Sequence, residues 1–338
     1  MSDNFANVLP AENNSAAASQ TNIPESNKLM VTPSPHVKSK VSTSDIMLDV
    51  LVALVPTLAA ATYIFGIKAL LLSVVCVVSC VAFEYIFRRI LKLSNTISDL
   101  SAAVTGLLLA FNLPVGMPYW MAVIGSFVAI VIVKQLFGGI GQNFVNPAIA
   151  ARIVLFVSFA KQMTTYVIPY NFGNGIQLVA GATPLRLLSG DTAQLPPITS
   201  MLFGFRGGCL GETCVVGLVL GGAYLVYKKV ISPIIPLSFM GTVFVLTWLL
   251  GANPVYHLLS GGLVLGAIFM ATDYTTSPTT DKGKYIYGIG CGLITVLIRL
   301  YGSYPEGVSF AIILMNIVTP HIDTLTRLKP FGVGGAKK

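Results

Sequence analysis

The stretch GLLLAFNLP, residues 106–114, has a counterpart later in the chain, GAIFMATDY at residues 266–274. A second pair recurs at nearly the same spacing, VIVKQLFG at 131–138 and TVLIRLYG at 295–302. The offsets are 160 and 164 residues. Two copies of one apolar pattern at such a spacing are typical of membrane proteins built from an internal structural repeat.

The composition agrees with a membrane protein, because 54% of the 338 residues are hydrophobic and only 10% are charged. Soluble domains carry about 25% charged residues. Apolar runs near the length of a bilayer-spanning helix occur ten times, five on each side of residues 160–207. These runs cover residues 46–65, 69–87, 101–113, 120–136, 145–159, 209–227, 231–250, 255–271, 285–301 and 308–318.

Five spans in each copy is an odd number, so the second copy enters the membrane from the opposite side. The sequence therefore predicts an all-α polytopic membrane protein of about ten transmembrane helices in two inverted five-helix repeats, residues 45–159 and 208–320. The runs 101–113 and 308–318 are too short for a full crossing. We expect these two to be broken or half-length helices that line an interior.

The two ends of the chain are predicted to be cytoplasmic tails, residues 1–44 and 321–338. The first is rich in Asn, Ser, Ala and Pro, which indicates disorder. With a cytoplasmic N-terminus and ten spans, most of the 21 Lys and Arg residues fall on the inner side, as the orientation bias of membrane proteins requires. The net charge of +8 thus reports topology and not nucleic-acid binding, and residues 160–207 form a loop on the outer face.

Polar interruptions are the candidate sites within the spans. Asn143 and Asn146 are three residues apart, so on a helical turn both amides would face one way and could clamp a planar hydrogen-bonding ring. Alternatively, Asn146 caps a helix whose first residue is Pro147, which the residues alone favour. Cys76 and Cys80 have the spacing of two metal ligands, yet no His or acid joins them, so a core role is favoured.

Charged residues within the spans are costly and therefore informative. Glu84 and Arg88 have the spacing of an ion pair on one helix, and we predict that pair. Arg152 and Glu212 also lie within spans, but the sequence indicates no partner for either. No catalytic nucleophile, phosphate-binding loop or dinucleotide motif is present, so redox chemistry in this chain would depend on a bound cofactor.

Three stretches together resemble one family. SPHVKSKVSTSDIMLDVLVALVPTLAA (34–60), GQNFVNPAIAAR (141–152) and GATPL (181–185) are similar to the D subunit of the Rnf electron transport complex. The B subunit of the sodium-translocating NADH:quinone reductase is a more distant relative. The likeness runs from about residue 29 to 329, and it implies a fold similar to that of urea transporters.

The resemblance implies that Thr183 carries flavin mononucleotide (FMN) through a phosphoester bond, made by a separate flavin transferase. Gly181 and Ala182 would let the enzyme approach the backbone, Pro184 would fix the chain after the site, and Arg186 would pair with the phosphate. The family commonly has Ser, Thr or Asp before the glycine, whereas this chain has Ala180. The resemblance to the reductase also implies a second, non-covalent flavin, riboflavin, with Asn143 and Asn146 as its candidate ligands.

The function implied is that of a membrane subunit of an ion-translocating ferredoxin:NAD⁺ oxidoreductase in the bacterial inner membrane. The other Rnf subunits, A, B, C, E and G, are the implied partners, and Na⁺ or H⁺ is the transported ion. The alternative is a urea-type solute channel or transporter without a cofactor. That alternative explains ten spans and the repeat equally well, but not a long outer loop that contains a Gly-Ala-Thr-Pro sequence.

Overall fold

The structure is a computed structural model that describes residues 41–170, 177–181, 183–188, 195–302 and 306–327. Most of the predicted N-terminal tail therefore lies outside the described residues, as does the end of the predicted C-terminal tail. The first helix begins at Thr43, where Ser42 and Asp45 form a reciprocal cap: each side chain accepts a hydrogen bond from the other's backbone N–H.

The first predicted repeat contains five helices, and the fourth changes to π-helical geometry in its second half. They are α1 (Thr43–Phe65), α2 (Ile67–Ile90), α3 (Ser101–Phe111), α4 (Tyr119–Phe127) with its π-helical continuation (Val128–Gln135), and α5 (Pro147–Ser158). Gly66 separates the two long helices with a φ of 77°, a backbone conformation that glycine adopts without strain.

The segment between the two predicted repeats has secondary structure of its own. It contains a two-stranded antiparallel hairpin, in which Tyr166 pairs with Gly181, and three short helices. Its elements are α6 (Ala160–Thr164), β1 (Tyr166–Tyr170), β2 (Gln177–Gly181), α7 (Pro184–Leu188) and α8 (Ile198–Phe203). The fold is thus helical except for this one hairpin within the described residues.

The second predicted repeat is more broken than the first. Its elements are α9 (Val215–Tyr227), α10 (Ile234–Leu249), α11 (Pro254–Leu259), α12 (Leu263–Leu265) with its π-helical continuation (Gly266–Met270), α13 (Asp281–Tyr301) and α14 (Val308–Thr326). The predicted run 255–271 therefore consists of two helical segments, α11 and α12 with its π-helical continuation. The prediction of a half-length helix at 308–318 is wrong, because α14 continues through polar residues whose side chains are satisfied, such as Asn316 against Tyr287 and Thr319 against the Thr276 carbonyl.

Close helix packing depends on small residues at two places. Gly217 and Gly221 of α9 lie against α1, where a methyl group on Gly221 would clash with the Ala53 carbonyl oxygen. Gly288 and Gly292 of α13 lie in the same way against α10. Pairs of glycines four residues apart let helix backbones approach closely, as is common in membrane helices.

Four helices, α1, α2, α13 and α14, are long and apolar enough to cross a membrane, and five shorter apolar helices accompany them among the described residues. Large apolar side chains remain exposed along these helices, including Tyr63, Trp248 and Leu249. One core cluster joins residues from both predicted repeats. The architecture is that of a polytopic membrane protein.

Candidate functional sites

A cavity of about 380 Å³ lies between the two predicted repeats. Its apolar wall comes from α1, α3 and the π-helical segment that ends at Met270. Its polar side chains include Ser101, Lys134, Asn143, Asn146 and Asp273. Ligand pockets typically measure about 300–1,000 Å³ and combine an apolar wall with a few polar groups. This cavity therefore has the size and the lining of a binding site for a small molecule.

Asn146 caps α5, as the residues alone favoured. Its Oδ1 accepts hydrogen bonds from the backbone N–H groups of Ala148 at 3.0 Å and Ile149 at 3.3 Å. Its Nδ2 donates to the Met270 carbonyl at 3.3 Å, so one side chain ties the start of α5 to the second predicted repeat. The cap still leaves the second Nδ2–H of the amide for a ligand.

Asn143 also lines the cavity, although not by the helical geometry that we predicted. Both asparagines precede α5 and do not share a helical turn, because α5 begins at Pro147. Asn143 donates to the Val145 carbonyl at 3.1 Å and hydrogen-bonds to the Asp273 carboxylate. The two amides therefore meet in one cavity because the loop before α5 folds against the turn that contains Asp273.

A buried ion pair stands at the edge of the same cavity. Lys134 Nζ lies 2.7 Å from Glu84 Oε2, with 4% and 1% of the two side chains exposed. Lys134 also donates to Ser101 Oγ at 2.7 Å, and Thr96 donates to Glu84 Oε1 at 2.6 Å. Each charged group thus has a further hydrogen-bond partner, which offsets part of the cost of burying two charges.

The predicted pair of Glu84 with Arg88 is wrong. Arg88 instead donates to the Ser94 carbonyl at 2.5 Å and to Gln135 Oε1 at 3.3 Å. Helical spacing allowed the Arg88 pair, but α2 buries Glu84 toward the π-helical segment, where Lys134 supplies the charge. Lys134 is fifty residues away in sequence, and only its position inside an apolar run could have signalled it.

A second buried network contains the partners of Arg152. Its Nη1 donates to Asn112 Oδ1 at 2.7 Å, and its Nη2 contacts Glu212 Oε1 at 3.3 Å and Glu306 Oε2. Tyr166 of β1 donates to the other Glu306 oxygen at 3.0 Å. One guanidinium therefore connects α5 with the segments that precede α9 and α14 and with the hairpin.

The buried cysteines lie in different surroundings. Cys76 and Cys80 lie buried in α2, and Gly106 of α3 packs directly against the Cys76 carbonyl. Cys209, Glu212 and Glu306 are the group of three potential metal ligands close together in the described part of the chain. The Arg152 guanidinium lies among them and supplies the positive charge that a cation would otherwise supply.

Thr183 lies between the hairpin and α7 and is 8% exposed. Its carbonyl accepts the N–H of Leu187 at 3.1 Å, and Pro184 and Leu185 after it are buried. Ala182 and the Arg186 side chain lie outside the described residues. The described residues that line the cavity include none from 160–207, so Thr183 and the asparagines belong to two separate candidate sites.

The fold is helical, and it encloses a polar cavity and buried ion pairs. These features define the class of protein as a polytopic membrane protein with functional groups inside its spans. A model of the NQR2, RnfD, RnfE family matches residues 30–332, and the chain belongs to that family.

Curated relatives match nearly the whole chain. It is 50% identical over 314 residues to the D subunit of the Na⁺-translocating ferredoxin:NAD⁺ oxidoreductase complex of Acetobacterium woodii, covering 92% of this chain and 97% of that protein. It is 43% identical to the D subunit of the proton-translocating ferredoxin:NAD⁺ oxidoreductase complex of Clostridium ljungdahlii, with 90% and 97% covered. It is 39% identical to the D subunit of the ion-translocating oxidoreductase complex of Stutzerimonas stutzeri, with 86% and 92% covered.

Proposed function

We propose that this chain is the D subunit of an ion-translocating ferredoxin:NAD⁺ oxidoreductase complex. The observation that carries the proposal is 50% identity to a protein of that name over nearly the full length of both chains. The subunit would act in the bacterial inner membrane with the other Rnf subunits, A, B, C, E and G. Relatives named for either ion are similar to this chain, so Na⁺ and H⁺ are both candidates for the transported ion.

The topology that we propose has ten spans in two inverted repeats, as in urea transporters, with both termini cytoplasmic and residues 160–207 on the outer face. Two packings between the predicted repeats support it: α1 packs on α9, and α5 packs on α14. Each pair joins corresponding members of the two copies. The residue that follows α3, Asn112, also contacts Met270 Sδ at the end of the second π-helical segment, at 3.7 Å. The end of a short helix in one predicted repeat thus meets the end of a π-helical segment in the other, as an inverted-repeat plan would lead one to expect.

We propose that Thr183 carries FMN through a phosphoester bond made by a flavin transferase. FMN, when bound, supplies one- and two-electron redox chemistry that no side chain of this protein can perform. The residues fit such a group: Thr183 provides the hydroxyl, Gly181 and Ala182 are small by sequence, and Pro184 fixes the chain direction. Arg186 is placed by sequence to meet the phosphate.

The experiment that tests this proposal is in-gel fluorescence of the denatured full-length chain, produced in a host that has the transferase. A flavin band that survives denaturation and disappears in Thr183→Val supports covalent attachment. A wild-type chain without any band would reject the attachment. It would then favour the rival function of a cofactor-free solute channel, against which the names of the relatives already argue.

A second flavin, riboflavin, is proposed for the cavity beside Asn143 and Asn146. The fit rests on a volume of about 380 Å³, a largely apolar wall, and polar groups that converge from both predicted repeats. The isoalloxazine edge carries both hydrogen-bond donors and acceptors, and the cavity offers amides, hydroxyls and the Asp273 carboxylate. Extraction of the purified protein with acid, followed by chromatography, would detect this flavin separately from the covalent one.

A further inference from the structure

Three residues that have a buried polar atom without a hydrogen-bond partner are connected to one another at the end of α11. Among the described residues, six buried side-chain polar atoms have no partner, and these include His257 Nδ1, Ser260 Oγ and Arg299 Nε. Arg299 connects the three, because its Nη1 donates to the His257 carbonyl at 2.5 Å and its Nη2 to the Ser260 carbonyl at 3.0 Å. All three side chains are more than nine-tenths buried.

Unpartnered polar atoms are rare in protein interiors, because each one loses its hydrogen bonds to water without replacement. Three such atoms on residues that Arg299 connects therefore indicate a missing partner. Arg299 Nε and the Ser260 hydroxyl are hydrogen-bond donors, and His257 Nδ1 is a donor in one of its two neutral tautomers. The missing partner is accordingly a group that accepts several hydrogen bonds.

The local charge points to an anion. Three arginines, Arg152, Arg206 and Arg299, and two carboxylates, Glu212 and Glu306, are buried or partly buried in this part of the fold. Arg152 engages both carboxylates. One positive charge is therefore left in excess among these groups, and an excess buried charge is unfavourable unless an ion of opposite sign accompanies it.

The group lies next to the segment that contains Thr183. A methyl group at Gly261 would lie 3.3 Å from Arg299 Nη2 and 3.5 Å from Leu185 Cδ2, so the guanidinium and the Leu185 side chain flank the same glycine. α7 packs against α11. Thr183 precedes Leu185 by two residues, which limits the separation of their Cα atoms to about 7.6 Å.

We propose that His257, Ser260 and Arg299 form the binding site for the phosphodiester of a flavin attached to Thr183. This inference rests on the proposed attachment at Thr183. A phosphodiester carries one negative charge and two unbridged oxygens that accept hydrogen bonds. It therefore matches the excess charge and supplies acceptors for the three unpartnered atoms.

Deleting an unpartnered hydroxyl provides the sharpest test, because the deletion removes no hydrogen bond from the protein without flavin. We would compare the thermal unfolding of full-length Ser260→Ala in two backgrounds, the flavin-carrying chain and Thr183→Val. The substitution should lower the Tm of the flavin-carrying chain by roughly 2–4 °C. It should leave the Tm of the Thr183→Val chain unchanged or raise it.

Thr57→Val is the matched control, since Thr57 Oγ1 is also buried without a partner but lies on α1 against Gly217. Its effect on Tm should be the same in both backgrounds. An equal effect of Ser260→Ala in both backgrounds would overturn the proposal, and Ser260 would then have no part in binding the phosphodiester.

Arg299 gives a second readout, the amount of covalent flavin per chain, measured by calibrated fluorescence of the denatured protein. Arg299→Gln should lower this yield several-fold, and Arg299→Lys, which keeps the charge, should restore part of it. Full loading of Arg299→Gln would mean that Arg299 only caps the end of α11. A wild-type chain without covalent flavin would instead reject the proposed function, and this inference with it.

Discussion

Lys134 Nζ lies 2.7 Å from Glu84 Oε2, although the two residues are fifty positions apart in the chain. Because both side chains are buried, the pair stabilises α2 against the π-helical segment only while it is complete. We expect Lys134→Met or Glu84→Gln alone to cost about 3–5 kcal/mol, since each change disrupts a buried, hydrogen-bonded ion pair. The double variant should recover most of that loss. Thermal unfolding of the four proteins as a double-mutant cycle measures the coupling, and additive effects would contradict it.

The Arg152 network should behave in the same way on a larger scale. Arg152→Met leaves two carboxylates, Glu212 and Glu306, without the guanidinium that contacts both of them. We expect this variant to lose stability by several kcal/mol, of the order seen for broken buried pairs. Combining it with Glu212→Gln and Glu306→Gln should restore folding, measured as the yield of monodisperse protein in detergent. A triple variant no better than Arg152→Met would show that the guanidinium acts through packing.

The close contact between α1 and α9 should not tolerate the single methyl group that an alanine at position 221 would add. Gly221→Ala would drive Cβ into the Ala53 carbonyl oxygen, so the helices must separate, at a cost of about 1–3 kcal/mol. Gly241→Ala is the matched control, because a Cβ added there would meet no atom within 4 Å and the residue lies inside α10. That control should be neutral or stabilising by up to about 1 kcal/mol. Equal melting temperatures for the two variants would contradict the close approach.

Asn146 makes two kinds of hydrogen bond, and different substitutions remove them separately. Asn146→Ser keeps a capping oxygen for α5 but loses the hydrogen bond to the Met270 carbonyl, whereas Asn146→Ala loses both. Loss of the cap costs about 1 kcal/mol, so the alanine variant should melt lower than the serine variant. Both variants should retain less riboflavin after purification if the cavity binds it. Unchanged riboflavin content in both would remove Asn146 from that site.

Ion transport gives the test of how the proposed flavin acts. If the redox state of a flavin at Thr183 controls a path between the two predicted repeats, Thr183→Ala should abolish redox-driven ion uptake by vesicles that contain the assembled complex. Thr199→Ala, an exposed threonine of α8 in the same segment, serves as the control and should transport normally. Normal transport by the Thr183 variant would reject the hypothesis.

The sequence predicted much of the helical framework because membrane spans are long and uniformly apolar. The runs 46–65 and 69–87 correspond closely to α1 and α2. The prediction was wrong where polar residues are satisfied inside the fold, as in α14, because apolarity alone cannot show that Asn316 has a partner in Tyr287. The sequence also did not predict the hairpin, because its strands are short and the rest of the protein is helical.

The candidate sites divide in a similar way. Local chemistry predicted the cap at Asn146, since a cap depends only on the next three residues. The charged partners of Glu84 and Arg152 lie from 50 to 154 positions away, and spacing along one helix cannot indicate them. Nothing in the sequence distinguishes Glu306 as a site residue, because it lies in a loop, where a carboxylate is ordinary.

The enclosure of Thr183 has a consequence for how the protein is made. A side chain that is 8% exposed cannot enter the active site of another enzyme while its surroundings are closed. If FMN is attached there, the transferase must act during a limited period of biogenesis, before α7 settles on α11, or must first displace that segment. Chains that finish folding too early would then remain without flavin, and the loaded fraction in a cell would report the relative rates of folding and modification.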